Sequence, residues 1–320
     1  MGKQVFAIIL AAAALSLASC RDGGGYCRVE GFAQGGTWHI ICALPEDLDA
    51  QDVRHLADSL LLEIDNSISG YNKGSILSRL NAGEDLPLDR HFITNFTRSK
   101  EIWQQSGGAF DPSAAPLFDL WGFGFENGGN VTDAAVDSIK AFVGMDHFAL
   151  EERGDGIHLV RDDSRCKLNF NAIAQGYSCD CIAAALRDAG CVDYLVEVGR
   201  EIVCSGRSAR GNKWNIALEK PVDGAREGEE QIEEVLELTD CGVVTSGNYR
   251  KFYVKDGQKY AHTIDPATGR PVTHHLLSAT VITGDATTAD AMATWFMVIG
   301  ADSARAVTAT MPDVEIKLIE

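Results

Sequence analysis

Apolar residues along this chain recur with two different periods. From Asp52 onward, Val53, Leu56, Leu60 and Ile64 return at three- and four-residue spacing, which predicts an amphipathic helix ending near Ser69-Gly70. Phe92, Phe96 and Trp103 form a second stripe that stops at Gly107-Gly108, glycines suited to a left-handed helix end. A third helix is predicted to open near Ala174 and close at Gly190, and two more start around Thr288 and Asp302. Strand-like runs lie between them: Ile157 to Arg161, Tyr194 to Val198, Trp214 to Glu219, Val235 to Leu238, Leu277 to Thr283 and Val314 to Ile319. Strands and helices interleave without the regular beat of a doubly wound sheet. The pattern therefore predicts an α+β fold, with largely antiparallel sheets flanked by helices, in one compact domain with room for two lobes. No repeat and no Pro/Ser-rich linker divides the chain.

The amino-terminal segment follows a different pattern. Lys3 is followed by an apolar run from Val5 to Ala18, and Leu17-Ala18-Ser19-Cys20 closes it as a lipobox. The run is shorter than the ~20 residues a membrane span requires. Residues 1–19 are therefore expected to be a lipoprotein signal peptide. Cys20 is the expected lipidation site, and residues 20–26 a flexible leash to a domain over 27–320. This predicts an exported bacterial lipoprotein, anchored to the membrane and facing the periplasm.

Composition narrows the function. The 320 residues are 45% hydrophobic and carry a net charge of −18, with no basic cluster, which disfavours a nucleic-acid partner. The nine cysteines show no paired CxxC spacing of the zinc-finger kind. Export would permit disulfides. The cysteines after Cys20 nevertheless sit mostly inside apolar runs, which predicts buried small hydrophobes.

Four stretches hold polar residues that a purely structural loop would not need: Ser69 to Asn81, Gly108 to Gly124, Asn169 to Tyr177, and a composite of Thr245 to Arg250, His262 to Gly269 and Thr287 to Thr294. On a helix beginning near Thr288, Asp290 and Thr294 lie one turn apart and present a carboxylate and a hydroxyl on one face. With a loop carbonyl they make half an oxygen site for a hard cation such as Mg²⁺; the same pair also serves as an ordinary helix cap. His262 precedes Ile264-Asp265-Pro266, where proline ends a strand and leaves the imidazole at its tip, a place for proton transfer or for a structural histidine. Tyr71, Phe110, Trp121 and Tyr177 flank small residues and suit stacking on a flat ring or burial in a core.

In this order the blocks resemble the ApbE family, the FAD:protein FMN transferases. They are S-x-Y with S-x-x-S-R-x-N at Ser69 to Asn81, GAFDPSAAPLFDLWGFG at Gly108, NAIAQGY at Asn171, VEVG-x-E at Val196, TSGNYR, HTIDPATGRPV and TADAMAT. The resemblance runs from about Gly35 to Gly300 and implies a T-fold-related architecture. It also implies Mg²⁺-dependent transfer of FMN from FAD to a threonine hydroxyl of an exported redox protein, with release of AMP. Acceptors of that class are subunits of membrane redox complexes such as sodium-pumping NADH:quinone oxidoreductases. Position by position it implies metal ligation by Asp290, Thr294 and the carbonyl of Ala172. Flavin-nucleotide contacts are implied at Tyr71, Ala109, Phe110, Asp111, Asn169, Gln175, His262 and Ile264, with His262 and Asp290 in the catalytic roles. The chain departs from the family pattern at Gly35, at Asn169 and Gln175, where charged residues are usual, and at Arg200, which replaces the second glycine of a pair. Two alternatives stay open: Mg²⁺-dependent hydrolysis of FAD to FMN and AMP, and a non-catalytic FAD-binding lipoprotein.

Overall fold

The computed structural model describes residues 25–124, 131–222, 231–249, 252–255 and 258–320. The expected signal peptide, Cys20 and the leash to residue 24 lie outside the described residues, as does Arg250. In chain order the elements are β1 (Tyr26–Ala33), β2 (Gly36–Ala43), α1 (Ala50–Ile68), α2 (Ile76–Asn81), α3 (Arg90–Gln105), α4 (Ala115–Trp121), α5 (Asp133–Lys140), β3 (Phe148–Arg153), β4 (Gly156–Arg161), α6 (Ala174–Asp188), β5 (Tyr194–Val198), β6 (Glu201–Ser205), β7 (Trp214–Glu219), β8 (Ile232–Leu238), β9 (Cys241–Gly247), β10 (Phe252–Lys255), β11 (Gln258–Ala261), β12 (Ile264–Asp265), β13 (Arg270–Pro271), β14 (Ser278–Thr283), α7 (Ala286–Ile299), α8 (Ala301–Thr308) and β15 (Glu315–Ile319). β1 already begins at Tyr26, inside the predicted leash.

Seven strands form the central sheet in the order β1-β2-β5-β6-β9-β14-β15, with every pairing antiparallel. One face carries Trp38, Ile40, Val196, Val198, Val244 and Val281 into the main core, where α1, α6 and α7 cover it. The other face carries Val243 and Ile282, which pack against Trp214, Ile216 and Leu236 of the β7–β8 hairpin. The middle strands are thus buried on both sides. One main core joins the helices to the sheet, as expected of a single domain.

The helices begin where the sequence supplies acceptors for their free amides. Asp49 caps α1 in a reciprocal box with Asp52, Asp89 caps α3, and Asp285 caps α7. α7 starts at Ala286, two residues before the predicted start, so Asp290 stands in its second turn. α2, α4 and α5 are short helices absent from the sequence prediction, and of the three α4 contributes to the cavity described below. Among the described residues no helix is long and apolar enough to cross a membrane.

Candidate active site

A cavity of about 330 Å³ opens where α7, the β5–β6 turn, the end of β9 and four loops converge, a size in the range of small-molecule sites. Its floor is α7, which contributes Asp290, Thr294, Met297 and Val298. The position of that helix is fixed by close backbone approach. A Cβ added at Gly176 would collide with the Ala286 carbonyl and the Asp290 Cβ, and one at Gly242 with the backbone at Asp285-Ala286. Glycine at these positions lets α6 and β9 lie directly against the start of α7.

Two reciprocal contacts lock α6 to α7. Asp180 on α6 accepts the amides of Ala286 and Thr287 at 3.0 and 2.8 Å. In return Asp290 Oδ2 accepts the Gly176 amide at 3.1 Å. α6 has no side-chain cap of its own at Ile173, so the Asp290 carboxylate supplies an acceptor at that positive helix end. Burial nevertheless dominates and pushes the Asp290 carboxyl up to about 7. Thr294 Oγ1 lies 3.4 Å from Ser246 Oγ on β9.

Glu201, the first residue of β6, lines the same cavity, and sequence reasoning had given it no role. Its Oε2 is enclosed without a hydrogen-bond partner. Burial, and then the charge of Asp290, push its carboxyl well above the ordinary range. A carboxylate pair of this kind, Asp290 buried and Glu201 half-buried, with a threonine hydroxyl and Ala172 lining the same cavity, is a donor set that suits a hard divalent cation. In the sequence Glu201 was marked only as the last residue of the VEVG-x-E block, which carried no assigned role.

That turn consists of Gly199 and Arg200, both with positive φ, at +64° and +94°. Such a conformation favours glycine, and Arg200 holds it at a cost. Its guanidinium pairs with Glu219 at the cavity rim.

The opposite wall comes from the α3–α4 connection. Ala109, Phe110, Asp111 and Pro112 line it, with Phe110 fully buried. Asp111 caps the following single turn through Ser113, accepts the Trp103 indole N–H at 3.2 Å, and is pushed up to about 6 by burial. Asn169 and Ala172, just before α6, complete this side with Asn171, and Tyr71 stands 67% exposed at the mouth.

His262 lies between β11 and β12, half-buried, with its ring edge-on to Phe123 at 6.5 Å between centroids. Its loop is held at several points. Thr263 Oγ1 donates to Asn248 at 2.6 Å, Val272 donates to the Thr263 carbonyl, and the Trp121 indole donates to the Gly269 carbonyl at 2.9 Å. Ile264 also lines the cavity.

The structure thus brings together Tyr71, Ala109, Phe110, Asp111, Asn169, Ala172, His262, Ile264, Asp290 and Thr294. Gln175 is not among the lining residues. Its side-chain amide packs against Gly199, where a Cβ would otherwise stand, as α6 carries it past the loop that holds Asn169 and Ala172. Trp121 and Tyr177 are core residues rather than stacking platforms, with Tyr177 hydrogen-bonded to His91 Nδ1 at 2.9 Å. Most polar residues of Ser69 to Asn81 also do structural work: Ser75 caps α2 and bonds the Ser69 carbonyl, and Asn81 bonds Leu168 in both directions.

Comparison with known proteins agrees with this architecture over almost the whole chain. The profile described as the ApbE family matches residues 24–318. The chain belongs to the ApbE family. A relative from Vibrio cholerae named FAD:protein FMN transferase is 33% identical over 306 residues, 94% of this chain and 89% of the relative. One of the same name from Escherichia coli K12 is 32% identical over 287 residues, 87% of this chain and 80% of the relative. Among solved ApbE structures, the flavin transferase ApbE from Vibrio cholerae superposes with a TM-score of 0.79 at 31% identity, covering 92% of this chain and 93% of that one. The apo flavinyl transferase ApbE from Pseudomonas stutzeri also gives 0.79, at 30% identity, covering 91% and 90%. The sheet and helices that hold the cavity in this chain fall within the span that these ApbE matches cover.

Proposed function

We propose that this protein is a Mg²⁺-dependent FAD:protein FMN transferase that moves FMN from FAD to a threonine hydroxyl of an exported redox protein and releases AMP. The observation that carries this reading is the convergence of Asp290, Glu201 and Thr294 in one cavity, in a chain whose ApbE relatives bear that name. The reaction is a displacement at phosphorus, in which attacking and leaving oxygens must be held in line. A bound divalent ion supplies charge neutralisation at the diphosphate. Asp290, Thr294 and the Ala172 carbonyl are the residues that would hold it, with Glu201 adjoining them.

The chain's own groups account for the rest. Tyr71, exposed at the mouth, offers a ring face for a flat part of the dinucleotide, while Phe110 backs the cavity wall from the core. The Arg200 guanidinium at the rim is suited to a phosphate oxygen. His262, on its tethered loop, is the group assigned to take the proton of the incoming hydroxyl or to orient it. We further propose that Cys20 is lipidated and holds the enzyme on the periplasmic side of a bacterial membrane.

The test combines the enzyme with FAD, Mg²⁺ and a threonine-containing acceptor domain, then follows acceptor mass and AMP. An acceptor heavier by one FMN, with equimolar AMP, is the expected result. Free FMN beside an unmodified acceptor supports hydrolysis instead, and intact FAD without AMP contradicts both enzymatic readings.

A further inference from the structure

Two pairs of cysteines, neither in the cavity, face one another across antiparallel strands. Cys27 on β1 stands directly opposite Cys42 on β2, with their Sγ atoms 3.5 Å apart and both side chains buried on the helix-covered face. Cys204 on β6 stands opposite Cys241 on β9, on the face covered by the β7–β8 hairpin, with the two thiols in hydrogen-bond contact. Directly opposed residues of an antiparallel ladder have Cα atoms about 4.5 or 5.5 Å apart, and disulfides span about 4.4–6.8 Å, so side-chain rotation alone can close either pair.

We propose that Cys27–Cys42 and Cys204–Cys241 are disulfide-forming sites that close when the chain meets a thiol-oxidising disulfide, whether a small one such as oxidised glutathione or a protein one. The thiolate of one cysteine attacks the donor disulfide, breaking its S–S bond and releasing one donor thiol. The partner cysteine, as its thiolate, then displaces the second donor thiol. Two protein thiols lose two protons and two electrons, and the donor gains them.

The hydrogen bond from Cys42 holds the Cys27 thiol below its ordinary range, and that from Cys204 does the same for Cys241, while their partners are pushed up. Cys191 also touches Cys42, but it lies on the α6–β5 connection rather than opposite Cys42 in the ladder. Cys166 and Cys179 give their thiols to the carbonyls of Phe142 and Glu201, and Cys181 interacts with Tyr177. The two bonds would tie β1 to β2 and β6 to β9. Cys204 and Cys241 sit at the opposite end of their strands from Glu201 and Ser246, so the cavity keeps its shape.

The test equilibrates the purified full chain, native and refolded from denaturant, in mixtures of reduced and oxidised glutathione. Exchange is stopped with acid, free thiols are blocked with a maleimide in denaturant, and unreduced peptides are mapped by mass. The expected result is a loss of four hydrogens, linked peptides Cys27–Cys42 and Cys204–Cys241, and maleimide on Cys166, Cys179, Cys181 and Cys191. The oxidised form should unfold roughly 5–10 °C above the fully reduced one. Cys27→Ser should remove the first linked pair alone, and Cys204→Ser the second alone. Maleimide on all of these cysteines at every glutathione ratio overturns the proposal, as does a different pairing such as Cys42–Cys191.

Discussion

Asp290 gives one oxygen to the Gly176 amide, and loss of surrounding water pushes its carboxyl up to about 7. A carboxyl whose folded value lies above its unfolded one stabilises the fold while protonated in both states. That stability is lost as pH rises from the unfolded value near 4 through the folded value near 7. Metal-free protein should therefore lose up to about 4 kcal/mol between those limits, read from urea unfolding across pH. Asp290→Asn should lessen this slope, leaving the part that Glu201, Asp111 and Asp180 contribute, and raise metal-free stability at pH 8. The same change should lower FAD turnover by at least ~10²-fold through loss of charge at the site. A variant that keeps full turnover would remove Asp290 from the chemistry. At Arg200 the backbone is strained at φ +94°. Arg200→Gly should stabilise the fold by about 1 kcal/mol, since relief of such strain exceeds the value of a surface ion pair. It should also raise the KM for FAD, as the rim loses its guanidinium. Asp290 and Thr294 were legible as a pair because helical spacing alone puts them on one face. Glu201 closed the VEVG-x-E block but gained no role, because nothing along the chain shows that the β5–β6 turn brings it beside Asp290. Gln175 differs from its neighbours in sequence, which line the cavity, because its own side chain packs against Gly199.

The contact between α6 and α7 sets the site at the scale of elements. Gly176→Ala would place a methyl against the Ala286 carbonyl and the Asp290 Cβ. The helices must then separate, at a cost of about 1–3 kcal/mol, and Asp290 moves with them. Thermal unfolding should fall by several degrees and turnover by more than the stability loss explains, both measured against Gly176-containing enzyme at a temperature where each stays folded. α1 and α3 were readable in the sequence because each buries one stripe of apolar residues. The strands were less so. β9 reads Cys241-Gly-Val-Val-Thr-Ser-Gly247 without alternation because α7 covers one face and the β7–β8 hairpin the other, which erases the period-two signal. β2 is interrupted in the same way by Ile41, which packs on the hairpin side. The cysteine pairs were invisible for a related reason: register decides them, and it depends on pairing between strands rather than on spacing along one.

For the whole molecule, the ordered blocks from Ser69 to Thr294 made the family legible, while their convergence on one cavity required the sheet. Asp111, His262 and α7 are far apart in sequence and meet only because the antiparallel strands carry β6 and β9 to the same end. The leader makes a separate prediction. Cys20→Ala should shift the protein from the membrane pellet to the soluble fraction without changing turnover of the purified enzyme, and pelleting that persists would argue against a lipid anchor. The account as a whole rests on a divalent ion held by Asp290 and Thr294 on α7 against the diphosphate of a flavin dinucleotide. The most direct measurement is anomalous scattering from crystals of the enzyme grown with FAD and Mn²⁺. The account predicts a manganese peak bounded by Asp290, Thr294 and the Ala172 carbonyl, and a cavity without manganese, while FAD is bound, would contradict it.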